Sequence, residues 1–230
     1  MALYDRDYTQ TADAAHAGVE VSASVAFIKK TYQLLAASMI VAAAGAYVAM
    51  PYAMQIAQYR WFLFGFVMFM LWFGFGMTRN KPGLNLAALF VFTFAMGVTL
   101  VPMFSFLVGS GKGSVIGNAF LMTSVLFGAL SLFAINSKTD FSSWGKPLFI
   151  VMMVVFVAML VNIFILQSSI MSVVISAGFL LIFGLYTIYD TQNIANGAYS
   201  SPVDAAISLF VDFFNMFTAL LHLLGIFGDD

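Results

Sequence analysis

Cysteine is absent from this chain, which excludes disulfides, thiol catalysis and thiolate metal sites. Histidine is nearly absent too. His16 and His222 by themselves do not make a zinc site of the usual His- or Cys-rich kind. Charge is equally scarce, at 8% of residues, against roughly a quarter in a soluble domain. The nine Lys and Arg residues stand singly or in pairs, so no basic tract offers itself to nucleic acid. The formal net charge of −1 selects no partner.

What fills the chain instead is apolar. Hydrophobic residues make up 62% of it, and the mean hydropathy is +0.98. A soluble fold of 230 residues could not hide that much apolar surface, so the excess must face lipid. A spanning helix needs about 20 mostly apolar residues. Seven such runs are present, roughly Thr31–Met50, Trp61–Thr78, Leu84–Val108, Ser114–Ile135, Pro147–Leu166, Ser169–Gln192 and Val203–Phe227. Between them lie Pro51, Arg79-Asn80-Lys81-Pro82-Gly83, the Gly109–Gly113 cluster, Asn136–Lys146 and Asn193–Pro202. A closed β-barrel requires short alternating segments, whereas these runs are continuously apolar. The expected fold is an all-α, multi-pass membrane protein.

Residues 1–26 are mostly polar or small and carry Asp5, Asp7, Asp13 and Glu20, without the basic start and apolar core of a cleavable signal. They are expected to form a polar cytoplasmic tail, with residues 27–230 as the transmembrane domain and the first span as an uncleaved membrane signal. Only Gln167 and Ser168 separate the fifth and sixth runs, which predicts a tight helical hairpin rather than one long broken segment.

Orientation follows from the basic residues. With alternating spans, Arg6, Lys29, Lys30, Arg79, Lys81, Lys138 and Lys146 fall on the N-terminal side, and Arg60 and Lys112 on the other. Seven against two predicts a cytoplasmic N-terminus and, after an odd number of spans, an external C-terminus.

Two acids stand where acids are costly. Every Lys and Arg lies at or beyond a run's end, but Asp190 falls inside the sixth run and Asp212 inside the seventh. An ionised carboxylate at such depth costs several kcal/mol unless paired, hydrogen-bonded or protonated. Both approach from the same face, on helices joined by a short loop, so contact between them is geometrically reasonable. Arg79 belongs to that face and is a candidate counter-charge. Two carboxyls in contact in a dry site titrate as a unit. They share a proton at low pH and repel as pH rises, which provides a basis for proton-gated opening or cation passage. The plainer alternative is two aspartates capped independently by local Ser, Thr or Asn. His222, ten residues beyond Asp212, is a possible relay, though a bond to a backbone carbonyl is the simpler expectation. Asn162 and Asn215 are expected to glue helices, and Asn215 also to orient Asp212. Gly74, Gly76 and Gly97 suggest close helix approaches. The many Met and Phe residues are read as packing and lipid-facing surface.

The stretch Tyr189-Asp190-Thr191-Gln192-Asn193-Ile194, followed by Ser208-Leu209-Phe210-Val211-Asp212-Phe213-Phe214-Asn215-Met216-Phe217, resembles the signature of the Bax inhibitor-1 family, in its prokaryotic branch. Gly97-Val98-Thr99-Leu100-Val101-Pro102 and Lys138-Thr139-Asp140-Phe141-Ser142 are similar to family text as well. The resemblance implies a seven-helix bundle with the last helix central. Some prokaryotic members behave as pH-sensitive calcium leak channels in which two aspartates form the pH sensor; the matching positions are Asp190 and Asp212. An arginine after the second span interacts with that pair, and Arg79 matches it more loosely. Another bacterial branch modulates a membrane-bound AAA protease.

Three functions follow as expectations. The first is a cation leak channel in a bacterial inner membrane, with Asp190 and Asp212 as gate and weak Ca²⁺ site, no covalent chemistry, and Ca²⁺ as permeant ion rather than cofactor. The second is a regulator of a membrane protease or stress response. The third is an intramembrane aspartyl protease. Tyr189-Asp190 suits its first motif, but Leu209-Phe210-Val211-Asp212 lacks the glycines of the second.

Overall fold

Backbone amides and carbonyls in lipid have no water to bond, so a continuous apolar run satisfies them by coiling on itself. The computed structural model describes residues 4–78 and 81–227, and side chains over 22–78 and 81–226. Among the described residues, seven helices are long and apolar enough to cross a membrane. They are α1 (Ser22–Gln58), α2 (Arg60–Thr78), α3 (Pro82–Gly109), α4 (Ser114–Asn136), α5 (Ser142–Leu166), α6 (Ser169–Ala195) and α7 (Pro202–Ile226). No strand occurs among the described residues. The protein is an all-α, multi-pass membrane protein.

The first helix is longer than its apolar run. Its backbone begins at Tyr4 and continues unbroken across residue 26 to Ala49. Pro51 does not end the span, because it stands in the opening turn of a 3₁₀ segment, Met50–Tyr52, where a missing N–H costs nothing. In α3 the helix breaks for one residue at Leu100 and resumes at Val101, just ahead of Pro102. The α2 helix loosens into a π-helical turn over Met70–Gly74.

The expected hairpin between α5 and α6 is present, and its geometry has local causes. Gln167 takes the left-handed conformation at φ 47°. Ser168 caps α6, its hydroxyl accepting from the Met171 N–H. Asn162 closes the turn: its amide donates to Ser172 Oγ at 2.8 Å and to the Ser168 carbonyl at 3.2 Å, and its carbonyl accepts the Ser168 N–H at 3.0 Å. It does glue helices.

The last helix is central. α7 packs against α1, α3, α4 and α6, and its phenylalanines interlock with rings from two of them. Phe210 meets Phe92 edge-on, Phe213 meets Phe127 and Phe120, and Phe217 meets Phe104, at centroid separations of 5.5–6.2 Å. α1 and α3 cross with backbone on backbone. A methyl on Gly97 would run into the Ala42 carbonyl, and one on Gly45 into the Phe94 carbonyl. Of the three glycines picked out in sequence, only Gly97 marks a close approach between helices. Gly74 abuts Met70 of its own helix, and a methyl on Gly76 would meet only open space.

Candidate functional site

Helical periodicity aims both acids inward. On α6 the buried stripe is Thr187, Asp190, Thr191 and Ile194, and on α7 it is Ala205, Leu209, Asp212 and Met216. Asp190 is 6% exposed and Asp212 3%. Their carboxyls lie close enough to interact directly with each other. A bond between two carboxyls requires a proton on one of them, since an ionised carboxylate only accepts. Asp212 Oδ2 meets no partner among the described residues. By rise per residue, Asp190 sits roughly 7 Å from the end of α6 and Asp212 roughly 15 Å from the start of α7. The pair therefore lies inside the bundle, toward the end where α6 stops and α7 begins.

A tyrosine that sequence reading passed over completes the site. α6 ends in a Schellman turn: Ala198 N–H bonds the Asn193 carbonyl and Gly197 N–H the Ile194 carbonyl, with Gly197 at φ 73°. That left-handed residue folds the chain back, and Tyr199 returns to the helix it has just left. Its hydroxyl lies 2.9 Å from Asp190 Oδ1 and 3.0 Å from Ser208 Oγ. Burial, reinforced by the Asp190 charge, pushes the Tyr199 phenol above its ordinary range, so it remains a neutral hydroxyl. A phenol has one hydrogen. When it donates to an ionised Asp190, Ser208 must donate to it. The one available signal was position, a lone tyrosine among small and polar residues between the two acids.

Nearby, Asn85 is buried on α3 and donates to Asp204 Oδ1 at 3.3 Å, while the Thr78 hydroxyl donates to Asn85 Oδ1 at 3.2 Å. This links α2, α3 and the first turn of α7. An open groove of about 240 Å³ runs between α2 and α7, lined by Phe75, Tyr199, Asp204 and Ser208. Gln192, also buried, pins the α4–α5 connection: its carbonyl accepts Phe141 N–H at 2.6 Å and its amide donates to the Thr139 carbonyl at 2.8 Å.

The other residues singled out in sequence lie elsewhere. Arg79 falls outside the described residues. Asn215 donates to the Val211 carbonyl of its own helix at 2.7 Å, which turns its amide away from the role of orienting Asp212. His222 bonds a side chain, not a backbone carbonyl: its Nδ1 is 2.9 Å from Ser176 Oγ. Ser176 Oγ also lies 2.9 Å from the Ser172 carbonyl, so which group donates between Ser176 and His222 depends on the imidazole tautomer. Ten residues beyond Asp212, His222 is roughly 15 Å along α7 from the acid pair. Among the described residues, no group of three or more His, Cys, Asp or Glu gathers as metal ligands.

The family model described as "Inhibitor of apoptosis-promoting Bax1" matches residues 25–229. An uncharacterized protein of Helicobacter pylori strain J99 is 41% identical over 229 residues, covering 100% of this chain and 99% of its own length. An uncharacterized protein of Campylobacter jejuni is 42% identical over 233 residues, with 99% of each chain covered. The Modulator of FtsH protease YccA of Escherichia coli K12 is 33% identical over 153 residues, covering 66% of this chain and 69% of its own.

Proposed function

The chain belongs to the Bax inhibitor-1 family, and from that premise we propose that it is a pH-sensitive cation leak channel of a bacterial inner membrane, with Asp190 and Asp212 as its gate. One observation carries the reading: two buried carboxyls on adjacent spanning helices lie close enough to interact directly. With one proton between them they bond, and α6 is held to α7. With that proton gone they repel, and relief comes from separating the helices or admitting a cation. Ca²⁺ suits oxygen ligands but takes about six to eight of them. Two carboxylates bind it weakly, with water and carbonyls completing the shell, and a permeation site must release its ion. The seven-to-two division of basic residues favours a cytoplasmic position for the acid pair.

Ca²⁺ flux into proteoliposomes holding a calcium dye, followed across pH, tests the reading. Flux in the unmodified chain should rise as the shared proton leaves. In Asp212→Asn, an amide donates to Asp190 at any pH, so the pH dependence should flatten, and Asp190→Asn should act in the same direction. A pH profile identical in all three proteins removes the pair from the mechanism.

The E. coli relative favours a second reading, that this protein modulates a membrane protease. Co-purification of the chain with its host's membrane proteases, and a changed turnover of their substrates when it is deleted, would support that role. Deleting the polar N-terminal stretch separates the readings: loss of protease control with ion flux intact belongs to the second.

A further inference from the structure

Tyr199 links the 240 Å³ groove to the acid pair. It borders the groove and bonds Asp190 Oδ1 at the same time. We propose that the groove is the vestibule through which cations reach the pair, and that Tyr199 is its movable cap, open only when its hydroxyl leaves Asp190. The inference rests on the channel reading and adds to it a route and a positioning residue.

The chemistry of the walls supports a cation's passage. Asp204, Ser208 and Tyr199 offer oxygen, while Leu71, Phe75 and Ile207 supply apolar lining. The groups facing the Tyr199 hydroxyl are the Asp190 carboxyl from α6 and the Ser208 hydroxyl from α7, with the charge of Asp212 also felt there. α2 presents apolar Leu71, Phe75 and Gly76 to the same space.

The loop is built to move as a flap. Asn196, Gly197, Ala198 and Ser200 are exposed, and only Tyr199 turns inward among them. Behind it Gly197, already at positive φ, provides a joint that another residue would resist. The tether consists of two hydroxyl contacts; loss of the shared proton strengthens the one to Asp190, so release comes when an arriving cation displaces the hydroxyl from that carboxylate. Across the groove, the α2 wall carries the π-helical turn at Met70–Gly74, where helical bonding is least regular.

Tyr199→Phe keeps the ring and deletes the tether. In proteoliposomes at pH 7 its Ca²⁺ flux should exceed that of the unmodified chain by about tenfold, the lower end for losing a hydrogen bond to a charged group. Ser208→Ala, which removes the second anchor only, should raise flux about two- to threefold. Amide exchange over residues 196–201 should quicken in both variants, in a readout independent of transport. Unmodified flux with neither variant raising it overturns the cap and leaves the channel standing. Absence of flux in the unmodified protein at every pH overturns the channel and the cap with it. Should Tyr199→Phe fail to fold, Ser208→Ala decides by the same measures.

Discussion

Gly97→Ala puts the crossing of α1 and α3 to the test. The added methyl would fall inside the van der Waals contact of the Ala42 carbonyl oxygen, carbon and Cα. An overpacked side chain can rotate away, and such changes cost about 1–3 kcal/mol. Here the obstacle is backbone on a neighbouring helix, so relief comes only from moving the two helices apart. A radial gap of about 0.5–1 Å forfeits a quarter to a half of each contact along the seam. The seam is tightly closed: Phe92 and Thr93 are fully buried, and Ala42 and Ala46 nearly so. The expected loss is therefore at the upper end, about 3 kcal/mol. At about 2–4 °C per kcal/mol for a chain of this size, the melting temperature should fall by roughly 6–12 °C. Thermal unfolding in detergent micelles, followed by fluorescence of Trp61, Trp72 and Trp144, measures it. Gly76→Ala is the control, since its methyl enters open space. A Gly97→Ala protein melting within about 1 °C of the control would refute the backbone-on-backbone crossing.

Other outcomes follow from the polar contacts. Gln192→Leu leaves the buried Phe141 N–H and the Thr139 carbonyl without their partners, at an expected cost of about 1–3 kcal/mol. Amide exchange should quicken at residues 139–144 and stay unchanged at the α5–α6 hairpin. Asp140 accepts the Ser142 N–H at 2.8 Å, and the Ser142 backbone and hydroxyl hold its carboxyl below the usual carboxylate value. A depressed native value adds stability above the unfolded value, about 3.9, and loses it as pH falls through the native one. Asp140→Ala should therefore melt slightly lower at pH 7, and the gap should close in acid below that unfolded value.

Local chemistry set much of this molecule in advance. Seven continuous apolar runs admit no spanning structure but helices. Gln167-Ser168 favours a hairpin over one long broken segment, and Asp190 and Asp212 stand out because lipid makes them expensive. The sequence could not show Tyr199 meeting Asp190, because that contact depends on the left-handed turn at Gly197 and on how far α7 slides along α6. For the same reason spacing does not reveal that Asn215 bonds the Val211 carbonyl or that His222 meets Ser176: spacing says which residues share a face, and packing says which neighbour that face meets. Gly97 and Gly76 are equivalent as letters, and only the crossing angle of α1 and α3 makes one of them indispensable. The sequence by itself determined that two acids lie inside seven spans. Their contact and the hydroxyl that covers one of them were decided by tertiary packing, since side chains from separate helices meet only once those helices have been set against each other.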